Sequence, residues 1–103
     1  MIELKNIEGI CFVGIGGIGM SALARYFAKE NYVVAGYDRA ENGITTSLAE
    51  EGCDVIYEDD PALLPELFSD IKNIHKIIVV YTPAIPAESK ILSFFRNNGY
   101  KID

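Results

Sequence analysis

The chain has no tryptophan, one histidine, two cysteines and four prolines in 103 residues, and its nine basic residues face fifteen acidic ones. Each shortage excludes something. Cys11 and Cys53 form no CxxC pair and no cluster with His75, so no zinc or dithiol-redox site can be assembled. Both cysteines lie in apolar runs and read as small buried hydrophobes of a reducing compartment. No Lys or Arg occurs between Ala40 and Ile71, whereas eight of the fifteen acidic residues fall between Glu50 and Asp70. Nucleic-acid binding needs a basic face that displaces counterions, and the net charge of −6 argues against one. The acidic run reads as a solvated surface, so an anion bound here has to be small and held by local dipoles. Nor is there an uninterrupted apolar span. The stretch from Ile10 to Ala28 is broken by Gly14, Gly16, Gly17, Gly19 and Arg25, which suits neither a membrane helix nor a secretory core and points to a cytoplasmic protein.

What is present is enough for one folded unit. Half of the residues are hydrophobic, a composition that buries a core, and the length fits one small domain with no linker or repeat. Apolar strand-like runs at Gly9–Val13, Tyr32–Tyr37, Asp54–Tyr57, Lys76–Tyr81 and Tyr100–Ile102 alternate with helical patterns. In the first helix Met20, Leu23, Ala24, Phe27 and Ala28 recur at offsets of three and four and form one face, with Arg25 and Lys29 opposite. Asn31 is its stop. Asn42-Gly43 marks a loop, Thr45–Glu51 a short helix closed by Gly52, Pro61–Ser69 a turn with a short helical piece, and Glu88–Asn98 a helix with Ile91, Leu92 and Phe95 inward and Gly99 as its cap. Ile77 to Val80 are four consecutive aliphatics, the mark of a strand buried on both faces. The alternation predicts an α/β, Rossmann-like open parallel sheet of five strands, order 3-2-1-4-5, with helices on both faces.

Gly14-Ile15-Gly16-Gly17-Ile18-Gly19 matches G-x-G-x-x-G between a strand and a helix, the context in which that pattern binds a diphosphate. Gly14 is expected to permit the sharp exit from the strand, Gly16 to let the backbone approach a pyrophosphate, and Gly19 to let the helix pack closely on the sheet. The helix start offers unpaired N–H groups and the positive end of its dipole, so no basic side chain is needed. A bulky residue at Gly16 is expected to abolish binding and leave the fold intact. Asp38, nineteen residues after Gly19 at the end of the second strand, is placed to accept hydrogen bonds from ribose hydroxyls. Its neighbour Arg39 can stack on a base or touch a phosphate. Thr82-Pro83-Ala84-Ile85-Pro86 follows the fourth strand at the crevice where open α/β sheets bind ligands, stiffened by two prolines. No G-x-x-x-x-G-K-[ST] loop occurs, and no catalytic triad or paired carboxylates can be assembled. These residues fit a nucleotide-binding module without catalytic machinery of its own.

The run from Phe12 to Ala24 (Phe-Val-Gly-Ile-Gly-Gly-Ile-Gly-Met-Ser-Ala-Leu-Ala) resembles the amino-terminal signature of the Mur ligases, in particular the branch that joins L-alanine to UDP-N-acetylmuramate in peptidoglycan synthesis. Gly36-Tyr37-Asp38 is similar to that family's Gly-Ser-Asp, and Val79 to Pro86 resembles its fourth-strand loop. The resemblance implies that the chain is the first of three domains, the one that binds the UDP part of the substrate. ATP, magnesium and L-alanine belong to the other two, beyond Asp103. It implies that Gly16, Gly17, Ile18 and Gly19 hold the diphosphate, that Asp38 and Arg39 lie near the uridine, and that Thr82, Pro83, Ala84 and Ile85 help to enclose it. It also implies that this chain by itself performs no ligation. Two positions depart from the pattern: Tyr37 stands where a small residue is usual, and Pro83 where Ser is common. The glycine pattern and Asp38 also fit a second reading, an NAD(P)-binding domain of an oxidoreductase or redox-sensing regulator, and a third, a structural module that kept the fold and lost the ligand.

Overall fold

The structure, a computed structural model, describes residues 4–103. Five parallel strands form one sheet in the order β3-β2-β1-β4-β5, the order expected. They are β1 (Gly9–Val13), β2 (Val33–Tyr37), β3 (Asp54–Ile56), β4 (Ile77–Tyr81) and β5 (Lys101–Ile102). The helices are α1 (Ile18–Lys29), α2 (Gly43–Glu50), α3 (Glu66–Ser69) and α4 (Lys90–Asn97), with 3-10 turns at Pro61–Leu63 and Ile71–Lys76. Central β1 pairs with both β2 and β4 over its whole length and is buried at every position, as a strand flanked on both edges and both faces must be.

The alternation of side chains along β1 splits the core in two. Ile10 and Phe12 join Ile15, Ala24, Val34 and Leu48 on the side of α1 and α2. Cys11 and Val13 join Phe68, Ile91, Phe95 and Tyr100 on the opposite side. Helices therefore cover both faces, as the sequence implies. Both cysteines are free and buried, and burial pushes the Cys11 thiol well above its ordinary value.

Several boundaries differ from expectation for identifiable reasons. Asn42-Gly43 is no loop. Asn42 caps α2, its side chain accepting from the Ile44 and Thr45 amides while Thr45 Oγ1 accepts from the Asn42 amide, so the helix starts two residues earlier. Helix α4 starts at Lys90 because Ser89 caps it. Its inward residues Ile91, Leu92 and Phe95 are those expected. Along α1, Leu23 is 45% exposed and lies outside the core. It borders a shallow apolar groove with Phe27, Ile78 and Val80, so β4 is not roofed along its whole length on the α1 side. Asn31 (φ 69°) and Gly99 (φ 78°) end α1 and α4 in the left-handed region, as helix stops do.

Candidate functional site

The chain leaves β1 at Gly14, whose φ of +96° is open to glycine and strained for other residues. A Cβ there would also collide with Thr82 of the β4–α4 loop. The loop is then pinned to the end of β2: the Gly14 and Ile15 amides both donate to the Tyr37 carbonyl, at 2.7 and 3.0 Å. Ile15 is fully buried and rests on Gly36, where a Cβ would come within 2.6 Å of Ile15 Cδ1 and 2.7 Å of the Phe12 carbonyl. Close packing between loop and sheet thus depends on Gly36. It does not depend on Gly19, where an added Cβ would meet nothing within 4 Å.

Gly16 also departs from its expected role. Its amide donates to Asp38 Oδ2 at 2.9 Å. A Cβ at Gly16 would lie 2.8 Å from that oxygen and 3.1 Å from Thr45 Cγ2. The position is a glycine because the Asp38 carboxylate and α2 press on it from inside. A bulky residue there would disturb the fold, contrary to expectation. Asp38 Oδ1 accepts in turn from the Ala40 amide at 3.0 Å. The carboxylate is thus already ordering the loop after β2, with one lone pair per oxygen left for a ligand.

Gly17 is the N-cap of α1, in ordinary extended conformation, with no side chain capping the helix and no acidic residue in its first turn. The amides of Ile18, Gly19 and Met20 therefore have no intrahelical acceptor, and Ile18 is 84% exposed. The other two long helices are closed by their own chain. Asn42 caps α2, while Ser89 and Asp59 close α4. Asp59 accepts from Ser89 Oγ, from the Lys90 amide and from the Ile91 amide, each at 2.9 Å, and Ser89 Oγ accepts from the Leu92 amide. Of the helix ends near the carboxyl edge of the sheet, α1 is the one that still offers a positive dipole end and free donors.

In front of it lies a crevice of about 480 Å³, within the range of small-molecule sites. Gly14 and Gly17 form one wall, Tyr37, Asp38 and Arg39 the floor at the end of β2, and Thr82, Ala84 and Ile85 the facing wall. The facing wall is braced by the Ile85 amide donating to the Thr82 carbonyl and the Thr82 amide donating to the Val13 carbonyl. Seven of the residues expected from the sequence therefore meet in one place. Gly16 is turned inward, Ile18 and Gly19 stand outside the crevice lining, and Pro83 is exposed without lining it. Pro86, part of the loop expected at the crevice, and Tyr37, noted as a departure from the family pattern, also line it, whereas Asp59 and Ser89 line it and were not foreseen. Ser89, three residues before Leu92, had a readable cap signal. Asp59 lay hidden in the acidic run. Among the described residues no group of three His, Cys, Asp or Glu side chains is placed to hold a metal ion.

Sheet order, glycine loop and crevice define a Rossmann-like α/β domain whose first strand–helix junction is left uncapped. Residues 9–103 match the model of the Mur ligase family, catalytic domain, and the chain belongs to that family. It is 46% identical over 101 residues to the UDP-N-acetylmuramate–L-alanine ligase of Cytophaga hutchinsonii, which covers 98% of this chain and 21% of that protein. It is 44% identical over 96 residues to the ligase of the same name from Porphyromonas gingivalis, covering 93% and 20%. The chain thus spans about a fifth of the length of the curated relatives it matches. Among solved structures, the UDP-N-acetylmuramate:L-alanyl-gamma-D-glutamyl-meso-diaminopimelate ligase of Neisseria meningitides aligns with a TM-score of 0.75 at 23% identity, covering 94% of this chain and 28% of that one. A murein peptide ligase from Psychrobacter arcticus gives 0.75 at 20%, covering 93% and 18%. At those identities the likeness concerns the fold.

Proposed function

We propose that this chain is the domain of a UDP-N-acetylmuramate–L-alanine ligase that binds the UDP part of its substrate. The observation that carries the reading is the uncapped start of α1, opening beside a crevice walled by the ends of β1, β2 and β4. The diphosphate lies against the open Ile18, Gly19 and Met20 amides, where the helix dipole replaces cationic side chains, and among the described residues Arg39 is the one basic residue lining the crevice. Thr82, Ala84 and Ile85 close the site from the side of β4. The names of the relatives support UDP-N-acetylmuramate and L-alanine as the substrates of the longer protein. ATP and magnesium act in that protein through parts this chain does not contain, and the chain by itself catalyses nothing. Two free thiols and the nucleotide ligand suit a cytoplasmic setting. Among the described residues no helix is long and apolar enough to cross a membrane.

The test is thermal unfolding of the chain with UDP, UDP-N-acetylmuramate or NADH. A ligand at a hundred times its dissociation constant stabilises a fold by about 2.7 kcal/mol, on the order of 10 °C for a domain of this size. A shift with the uridine nucleotides and none with NADH is expected. No shift at millimolar UDP, or a preference for NADH, would refute the reading, the latter in favour of a dinucleotide-binding domain.

A further inference from the structure

Two tyrosines are buried in this domain, and they use their hydroxyls differently. Tyr100 is 5% exposed, and its phenol donates to the Phe68 carbonyl at 2.6 Å. Tyr37 is 9% exposed, its ring set in the same core cluster as Val13 and Ile91. Yet its hydroxyl has no hydrogen-bond partner among the described residues. Among the described residues no fully buried side-chain polar atom lacks a partner, so the Tyr37 oxygen lies on the small accessible part of the residue, which lines the crevice. A buried side chain thus presents an unused donor to the proposed nucleotide site.

The crevice is also polarised. At one side stand the open amides of α1. Around Tyr37 stand the carboxylates of Asp38 and Asp59, whose nearby amide donors are already taken by their own oxygens. A phosphate placed there meets two carboxylates against the single cation of Arg39, whereas an uncharged nucleoside meets a phenol and carboxylate lone pairs without that repulsion. Burial, followed by the charges of Asp59 and Asp38, raises the pKa of the phenol above its ordinary value, so it remains a neutral donor at any physiological pH.

We infer that Tyr37 is a specificity-determining residue whose hydroxyl donates a hydrogen bond to a carbonyl oxygen of a pyrimidine base, with the diphosphate directed toward α1. This rests on the nucleotide-binding reading above, with its diphosphate at α1, and adds the means of choosing the base. Adenine carries no carbonyl oxygen, so the same hydroxyl favours UDP over ADP.

The experiment compares the chain with its Tyr37→Phe variant by calorimetric titration with UDP, ADP and inorganic pyrophosphate, and by thermal unfolding without ligand. Loss of one neutral hydrogen bond weakens UDP about 3- to 10-fold. Affinity for ADP and pyrophosphate is expected to stay the same, as is the unfolding midpoint, because the hydroxyl supports nothing in the free protein. An unchanged UDP affinity overturns the inference while leaving the nucleotide site standing. Equal losses for UDP and ADP overturn the base contact, and a weakened pyrophosphate affinity overturns the orientation. A marked drop in the midpoint shows that the hydroxyl serves the fold. Failure of the unmodified chain to bind UDP removes the nucleotide reading and this inference with it.

Discussion

Alanine substituted separately at Gly16, Gly17 and Gly19 has three different expected outcomes, and together they test whether the glycine loop is built for the fold or for a ligand. At Gly16 the new methyl lies 2.8 Å from Asp38 Oδ2 and 3.1 Å from Thr45 Cγ2. The carboxylate must move and release the Gly16 amide, so overpacking and a lost charged hydrogen bond together cost about 1–3 kcal/mol. For a domain of this size that lowers the midpoint by roughly 5–20 °C. At Gly19 the methyl meets nothing within 4 Å and replaces a helical glycine, which stabilises by about 0.5–1 kcal/mol and raises the midpoint by roughly 2–8 °C. At Gly17 the nearest atom to the methyl is Met20 Cγ at 3.6 Å, an ordinary contact. The fold therefore loses only the N-cap preference of glycine over alanine, under about 1 kcal/mol. Its methyl, however, points from a residue of the crevice wall, and a tenfold weaker ligand lowers ligand-induced stabilisation by about 1.4 kcal/mol at saturation. The assay is calorimetric unfolding of the four proteins with and without UDP. A Gly16→Ala protein as stable as the parent, or a Gly17→Ala protein that keeps the full UDP shift, would refute the reasoning.

Other substitutions test the supporting contacts. Asp59→Ala strips the α4 start of its carboxylate and should cost about 1–2 kcal/mol in urea unfolding, in line with loss of a helix cap. No loss would mean that Ser89 alone closes that helix. Tyr100→Phe leaves the Phe68 carbonyl without its donor and should cost about 1–3 kcal/mol, in contrast to the neutral Tyr37→Phe; equal effects would contradict the different use of the two phenols. Arg25→Ala removes the half-exposed Arg25–Glu51 pair linking α1 to the end of α2. It should change stability by less than about 1 kcal/mol, and the difference should shrink in high salt.

The sequence was most legible where one segment determines its own structure. A strand, a glycine turn and a helix of period 3.6 follow one another between Gly9 and Lys29, and no distant residue is needed to recognise them. Sheet order was legible for the same reason, since alternating elements leave few unknotted arrangements. What could not be read depends on contacts across the chain. Nothing local says that Asp59 reaches a helix start some thirty residues later, or that Gly36 takes the packing role that the motif assigns to Gly19. Asp38 was found in the right place but with a different first duty, because its approach to Gly16 arises only when β1 and β2 lie side by side. Tyr37 was visible as a departure from the family pattern. That its ring would be buried and its hydroxyl left over required the opposite face of the sheet.

The anchoring of Ile15 also bears on how a ligand is received. With that side chain sunk into the sheet and two successive amides tied to the carbonyl of Tyr37, the segment between β1 and α1 cannot lift away without opening the interior. Nucleotide would dock on a rim already in its final shape, and little of its binding free energy would be spent on ordering protein. Arrival should follow single-step kinetics, with a rate proportional to nucleotide concentration and no plateau of the kind a closing flap produces.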